Sequence, residues 1–216
     1  MKRFILSLML LLAAPLTAFA DVVLFAGNVA QADIPAEYRH FLEEQGKTLV
    51  VSPAKGPRIE LRPPRTRDEL KRTAEIFREY AASLDVDLCF QNFDAELAGL
   101  PGEYAAPAGH LLLAFVDREL AGCGALRPYR DAGHANACEM KRLYVRPRFR
   151  RFGLGRVLAQ ALLDEARRVG YSEMLLDTLD DMESARELYA SLGFVEIPPY
   201  YFNPIPGAHY LKAELK

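Results

Sequence analysis

The sequence predicts a mixed α/β fold, a central mixed sheet flanked by helices. Apolar residues recur at helical spacing over Leu70 to Ala81 and again over Leu154 to Leu162, and apolar runs of strand length lie between and after them. The order is helix, antiparallel strands, then β-α-β-α-β, with no internal repeat and no low-complexity tract. Half of the 216 residues are hydrophobic and 26% are charged, the composition of a globular protein with one ordinary core.

The first twenty residues read as a leader. Lys2 and Arg3 precede an apolar run from Phe4 to Ala14, and Pro15 and Ala18-Phe19-Ala20 follow before Asp21. That is the layout of a secretory signal peptide with an A-x-A cleavage site, and the run is shorter than the ~20 apolar residues of a stable membrane span. Residues 21–56 form an appendage. It holds a short strand at Val22 to Ala26, a helix from Ala36 to Glu44, a strand at Thr48 to Val51, and a linker marked by Pro53, Gly56 and the following Pro57. The appendage is too small to bury a core of its own. The main domain is therefore expected over residues 57–216.

Within that domain Ile59-Glu60-Leu61 alternates as a strand. Thr66 and Glu69 form a capping box ahead of a helix whose Leu70, Ala74, Phe77 and Ala81 share one face. His110 to Val116 and Glu119 to Leu126 make a hairpin that turns at Asp117-Arg118, and a third strand runs from Cys138 to Val145. The next helix presents Leu154, Val157, Leu158, Ala161 and Leu162 on one side and is closed by Gly170. A strand at Met174 to Asp177 leads to a last helix, Met182 to Leu192, closed by Gly193.

Chemistry concentrates between the third strand and the helix after it, in Arg-Pro-Arg-Phe-Arg-Arg-Phe-Gly-Leu-Gly, residues 146–155. Glycines at the mouth of a helix let the backbone approach a ligand, and the free N–H groups there suit a phosphate or pyrophosphate. A Walker loop is excluded, because no Gly-Lys-Ser/Thr follows Gly153, and Leu158 stands where G-x-G-x-x-G needs its third glycine. A glycine pair of this kind also serves a plain strand-to-helix turn, so its context decides.

Arg150, Gly153 and Gly155 match the pattern Arg/Gln-x-x-Gly-x-Gly/Ala, Met140 to Pro147 lead into it as a strand and loop, and Ala185-Arg-Glu-Leu-Tyr-Ala-Ser-Leu-Gly-Phe194 closes the chain's motifs. In these ordered motifs the sequence, from Ile59 to Leu215, resembles the GCN5-related N-acetyltransferase (GNAT) superfamily. The resemblance implies an acyl-CoA N-acyltransferase fold in which two neighbouring strands part to admit the pantetheine arm of acetyl-CoA, the co-substrate. It implies that Leu143 and Val145, on either side of Tyr144, offer backbone groups to that arm. The amides of Arg150, Arg151, Phe152, Gly153, Leu154 and Gly155 would then cradle the pyrophosphate. Arg156, with Arg146, Arg148, Arg150 and Arg151, adds local positive charge, part of it a solvated basic face. Many members carry an asparagine where this chain has Met182, so that contact to acetyl-CoA is not implied here.

A primary amine is protonated at neutral pH, so its attack on a thioester needs a proton removed. With period-two alternation Glu139 shares a side of its strand with Leu143 and Val145, which makes it either the base, directly or through a water, or an exposed strand glutamate. Tyr189 matches the family's usual general acid for the departing thiolate, against the plain alternative of a core tyrosine. Cys138 reads as a packed thiol rather than an acyl-accepting nucleophile, since no base is placed beside it. The tail from Pro198 to Pro204 either shapes an acceptor pocket or covers the sheet.

The resulting expectation is an N-acetyltransferase acting on a primary amine of a small molecule or a protein, with variable loops such as Asp85 to Gly109 building the acceptor pocket. Two alternatives stand beside it: a non-catalytic acyl-CoA-binding module, and an exported protein whose appendage is the functional part. Net charge of -2, from 27 basic and 29 acidic residues, gives no field for nucleic acid. No metal is expected, because neither the three cysteines nor the four histidines show ligand spacing. Oligomeric state leaves no mark in the sequence. The need for acetyl-CoA places the catalytic domain in the cytoplasm, in conflict with the signal-like leader.

Overall fold

The computed structural model describes residues 22–25, 49–51, 57–84, 92–131 and 133–215. The leader, the helix expected over 36–44, His40 and Cys89 lie outside them. Two units are distinguished: one takes in residues up to Arg62 together with Phe115–Glu119, and the other takes in Pro63–Ala114 and Leu120 onward.

In the first unit β1 (Val22–Phe25) pairs in parallel with β2 (Leu49–Val51), which pairs antiparallel with β3 (Ile59–Arg62). Asp117 and Arg118 both take positive φ, the backbone of a tight turn whose twist suits a hairpin. That turn is tied by the Asp117 amide donating to the Arg58 carbonyl at 2.9 Å, and the Arg62 guanidinium lies over the Phe115 ring.

In the second unit α1 (Arg67–Ser83) begins as the capping box requires. The Glu69 amide donates to Thr66 Oγ1 at 3.1 Å, while the Glu69 carboxylate reaches back to the Arg65 amide at 2.7 Å. The buried face is centred on Thr73, Ile76 and Phe77. Of the four residues expected there only Phe77 is buried, because Leu70, Ala74 and Ala81 lie at the margin of the contact. A short α2 (Phe93–Ala98) and a 3₁₀ turn (Gly102–Tyr104) follow, in a stretch whose composition gives no periodic signal.

The unit's strands are β4 (His110–Val116), β5 (Glu119–Asp131), β6 (His134–Val145), β7 (Glu173–Leu179), β8 (Val195–Ile197) and β9 (Ala208–Glu214), in spatial order β4-β5-β6-β7-β9-β8. β5 and β6 are antiparallel and outrun the expected strands by several residues. β6 and β7 are parallel, and a parallel pair needs a crossover, supplied here by α3 (Leu154–Val169). Leu154, Leu158 and Leu162 are buried as expected, with Ala159, Leu163 and Ala166 widening the face. Gly170, at φ 95°, ends α3, and α4 (Glu183–Ser191) leads to Gly193 at φ 89°. The mixed sheet with helices on its faces is the architecture expected.

Two features of β6 set the geometry of the site. Cys123 pairs with Tyr144 and Ala125 with Lys141, so Arg142 and Leu143 together oppose Gly124, a β-bulge in which Arg142 takes φ 58°. Gly124 has no side chain to resist it: a Cβ there would lie 3.2 Å from Leu143 Cδ1 and 3.0 Å from Leu162 Cδ1. The second feature is that β6 and β7 pair only from Ala137↔Glu173 to Glu139↔Leu175. Beyond that point the two strands part.

Candidate active site

The bulge reverses the alternation of β6. Leu143 and Val145 face α3, where Leu162 and Leu158 lie, whereas Glu139 pairs with Arg127 and Lys141 with Ala125 on the face that α1 and α2 cover. The expectation that Glu139 shares a side with Leu143 and Val145 is therefore corrected, because it assumed unbroken alternation. Glu139 is 2% exposed; its Oε2 accepts from Arg127 at 2.9 and 3.0 Å, and its Oε1 accepts from the Tyr200 hydroxyl at 3.0 Å. It is a buried, paired carboxylate and not an exposed strand glutamate.

Where the strands part, a cleft opens. Its wall includes Tyr80 of α1, Met140 to Leu143 of β6, Asp177 to Leu179 of β7, Met182, Tyr189 of α4, and Asn203 and Ile205 of the tail. Glu139 is not part of that wall. Lys141 Nζ lies 3.0 Å from Asp177 Oδ1, and Asp177 Oδ2 accepts from the Tyr201 hydroxyl at 2.8 Å. Burial raises the Asp177 pKa, but the Lys141 charge and these hydrogen bonds outweigh it and hold the group below the usual aspartate range. Tyr80 packs on Tyr144 with ring centroids 5.7 Å apart, and burial pushes its hydroxyl up to about 12. Tyr144 is thereby committed to packing on α1 and is not part of the cleft wall.

Tyr189 is 7% exposed and lies edge-on to Phe194 at 5.6 Å. Its hydroxyl makes no hydrogen bond to another described residue, and burial, then the nearby Tyr80 and Asp177, raise its pKa well above the ordinary value. A tyrosine so placed carries a proton at neutral pH and faces the cleft with it. In the tail Tyr200 and Tyr201 bond the sheet carboxylates Glu139 and Asp177, while Asn203 and, just beyond that stretch, Ile205 line the cleft. Sequence reasoning passed over Lys141, Asp177 and Asn203, whose partners are far away in the chain.

The glycine pair stands at the start of α3. A 3₁₀ turn (Pro147–Phe152) delivers the chain to Gly153, at φ 70°, which caps the helix, and the first-turn N–H groups have no intrahelical acceptor. The space beside these glycines is open. A Cβ on Gly153 would meet nothing within 4 Å, and one on Gly155 would meet only Leu188 Cδ2 at 3.6 Å. Phe152 is 43% exposed beside the cradle, whereas the Leu154 side chain is fully buried, so Leu154 offers only its amide. These residues fit the pyrophosphate of a CoA, and the parted strands fit its pantetheine arm.

The arginines are less free than their number suggests. Arg146 forms a fork on Glu79 at 2.6 and 2.8 Å, Arg150 Nε donates to the Val145 carbonyl at 3.0 Å, Arg156 donates to Ser191 at 2.7 Å, and Arg148 lies over Phe149. Arg151 contributes backbone to the 3₁₀ turn. The guanidinium groups of Arg146, Arg148, Arg150 and Arg156 are thus engaged by the protein itself.

Other candidates fall into structural roles. Cys138 is buried, with its thiol pushed up to about 12 by desolvation, so it is a packed thiol. His110 contacts Glu165, His134 contacts Glu173, and His209 bridges Asp180 and Glu196. Among the described residues no group of three His, Cys, Asp or Glu is placed to hold a metal ion, and no helix is long and apolar enough to cross a membrane.

A family model described as the acetyltransferase (GNAT) family matches residues 70–194. An uncharacterised N-acetyltransferase of Schizosaccharomyces pombe is 43% identical over 141 residues, which are 65% of this chain and 85% of that protein. Among solved structures, a GNAT-family acetyltransferase from Staphylococcus aureus superposes with a TM-score of 0.59 at 20% identity, covering 73% of this chain and 99% of that one. A putative acetyltransferase from Salmonella typhimurium, solved with acetyl-CoA, gives a TM-score of 0.55 at 22% identity, covering 73% of this chain and 94% of that one. Family model and relative agree with the parted strands and the glycine cradle: the chain belongs to the GNAT family of acetyltransferases and is an N-acetyltransferase.

Proposed function

We propose that the domain moves an acetyl group from acetyl-CoA to a primary amine by direct attack within a ternary complex. The observation that carries this reading is the convergence on one cleft of the β6–β7 parting, the Tyr189 hydroxyl and the Lys141–Asp177 pair, with the glycine-lined start of α3 following β6. The Salmonella structure contains acetyl-CoA, which supports the same donor here. When bound, acetyl-CoA supplies the thioester carbon that the amine attacks.

The chain's own residues supply binding and proton transfer. The amides from Arg150 to Gly155 hold the pyrophosphate, with the helix dipole favouring its charge. Asp177, kept ionised by Lys141, attracts the ammonium form of the acceptor to the α1 side of the parting. Asp177, the carboxylate of the cleft wall, then accepts the amine proton through a water, while Glu139, behind that wall, fixes Arg127 and Tyr200. Tyr189, kept protonated by burial, gives its proton to the departing sulfur. The domain acts in the cytoplasm, where its donor is made. A mature form that begins at Asp21 in the periplasm, with none in the cytoplasm, would overturn that location.

The test of transfer is thiol release from acetyl-CoA by the purified protein against a panel of primary amines. Amine-dependent release with recovery of the acetylated amine is expected. Binding of acetyl-CoA without turnover of any amine would contradict it and favour a non-catalytic acyl-CoA-binding module.

A further inference from the structure

Four buried side-chain polar atoms among the described residues have no hydrogen-bond partner: Arg58 Nε, Asp164 Oδ2, Thr178 Oγ1 and Arg186 Nε. Three belong to side chains engaged through another atom: Arg58 forms an ion pair with Glu60, Asp164 accepts from Gln160, and Arg186 donates to the Asp180 carbonyl. Thr178 has a single polar side-chain atom and no second route. Its residue is 5% exposed, it sits in β7 where β6 has parted from it, and it lines the cleft. Asp177 points to the α1 face, where it meets Lys141 and Tyr201, so by strand alternation Thr178 points to the face that α3 and α4 cover. α4 is the helix that carries Tyr189.

A hydroxyl taken out of water without a partner is unfavourable, and native interiors satisfy nearly all such groups. One that stays unpaired in a ligand cleft is complementary to something that enters it. The cleft wall that Thr178 joins holds Met140, Leu143 and Met182 beside the paired Lys141 and Asp177, and with Thr178 5% exposed a bond made by its hydroxyl is shielded from bulk water. An acyl-pantetheine arm carries amide N–H groups, amide carbonyls and a thioester carbonyl. A hydroxyl, which donates once and accepts twice, can pair with any of them.

Resting on the reading that this cleft takes an acyl-CoA, we propose that the Thr178 hydroxyl is a binding group for the acyl-pantetheine arm, hydrogen-bonding an amide or the thioester carbonyl and fixing the arm beside Tyr189. The unliganded protein therefore carries an unmet hydroxyl that the ligand satisfies.

The test uses the full chain as wild type, Thr178→Val and Thr178→Ser, with calorimetric titration of acetyl-CoA and of CoA, and thermal unfolding without ligand. Thr178→Val keeps the branched shape and removes the hydroxyl. It should bind acetyl-CoA roughly tenfold more weakly and unfold no lower than wild type, while Thr178→Ser should bind within about threefold of wild type. Equal weakening of CoA and acetyl-CoA assigns the bond to a pantetheine amide, and weakening of acetyl-CoA alone assigns it to the thioester carbonyl; both support the proposal. If wild type binds acetyl-CoA and Thr178→Val binds it equally well, the proposal is wrong. A clear fall in the unliganded melting temperature would also overturn it, since the hydroxyl would then have a structural partner. Should the valine variant fail to fold, Thr178→Ala removes the same atom and is read by the same binding criterion. Failure of wild type itself to bind acetyl-CoA sinks the functional reading, a result distinct from the loss of this one contact.

Discussion

Lys141 and Asp177 face each other across the parting of β6 and β7, Nζ 3.0 Å from Oδ1, two residues beyond the last paired positions, Glu139 and Leu175. With side chains 7% and 12% exposed, the pair joins the two strands where their backbones no longer do. Breaking a buried ion pair by removing one partner typically costs about 3–5 kcal/mol, because the remaining charge is left uncompensated. Lys141→Met alone should therefore destabilise strongly, and Lys141→Met with Asp177→Leu should cost less than the sum of the two single changes. Urea unfolding of the four proteins of the cycle measures this coupling, and additive losses would show that the two residues do not act as a pair.

Tyr189→Phe removes one hydroxyl and little volume from a residue packed on Phe194. Turnover should fall by a factor on the order of 10²–10⁴, the usual range for a lost general acid, with acetyl-CoA affinity within about twofold of wild type. Steady-state kinetics beside a binding titration separates the two effects. An unchanged kcat would return Tyr189 to the core.

Glu165 of α3 is held between His110 and Arg168. Burial alone would raise its pKa, but hydrogen bonds from Arg168 and His110 outweigh it and bring the group to about 2. Since this lies below the unfolded value of ~4.3, the stabilisation is present above about pH 4.5 and is lost as pH falls toward 2. Glu165→Gln should lower the melting temperature at pH 7 and flatten its decline across that acid window. Parallel melting curves for the two proteins from pH 5 to pH 2.5 would refute the assignment.

Local signals made most of the fold legible. Thr66 and Glu69, Gly170 and Gly193 bound their helices by short-range backbone chemistry, and the Leu154 helix follows from spacing alone. The glycine cradle is legible for the same reason, since its elements lie within ten residues. What stayed hidden depends on contacts across the chain. Gly124 accommodates the bulge at Arg142, and that one inserted residue moves Glu139 to the opposite face from Leu143. Lys141 meets Asp177 across 36 residues and Tyr200 meets Glu139 across 61, and no periodicity encodes such pairs. α2, six residues long, falls below the length at which an apolar stripe can be read.

The central claim, that the first turn of α3 binds the pyrophosphate of acetyl-CoA, is tested most directly at Gly155. A Cβ there would make only an ordinary contact with Leu188, and Gly155 is not among the glycines of positive φ, so Gly155→Val should fold. Its side chain would nonetheless fill the open space over the amides that the phosphates must approach. Calorimetric titration of acetyl-CoA into both proteins, with circular dichroism confirming the fold of the variant, should show binding to wild type and at least a tenfold loss in Gly155→Val. Undiminished affinity in a folded Gly155→Val protein would contradict the site.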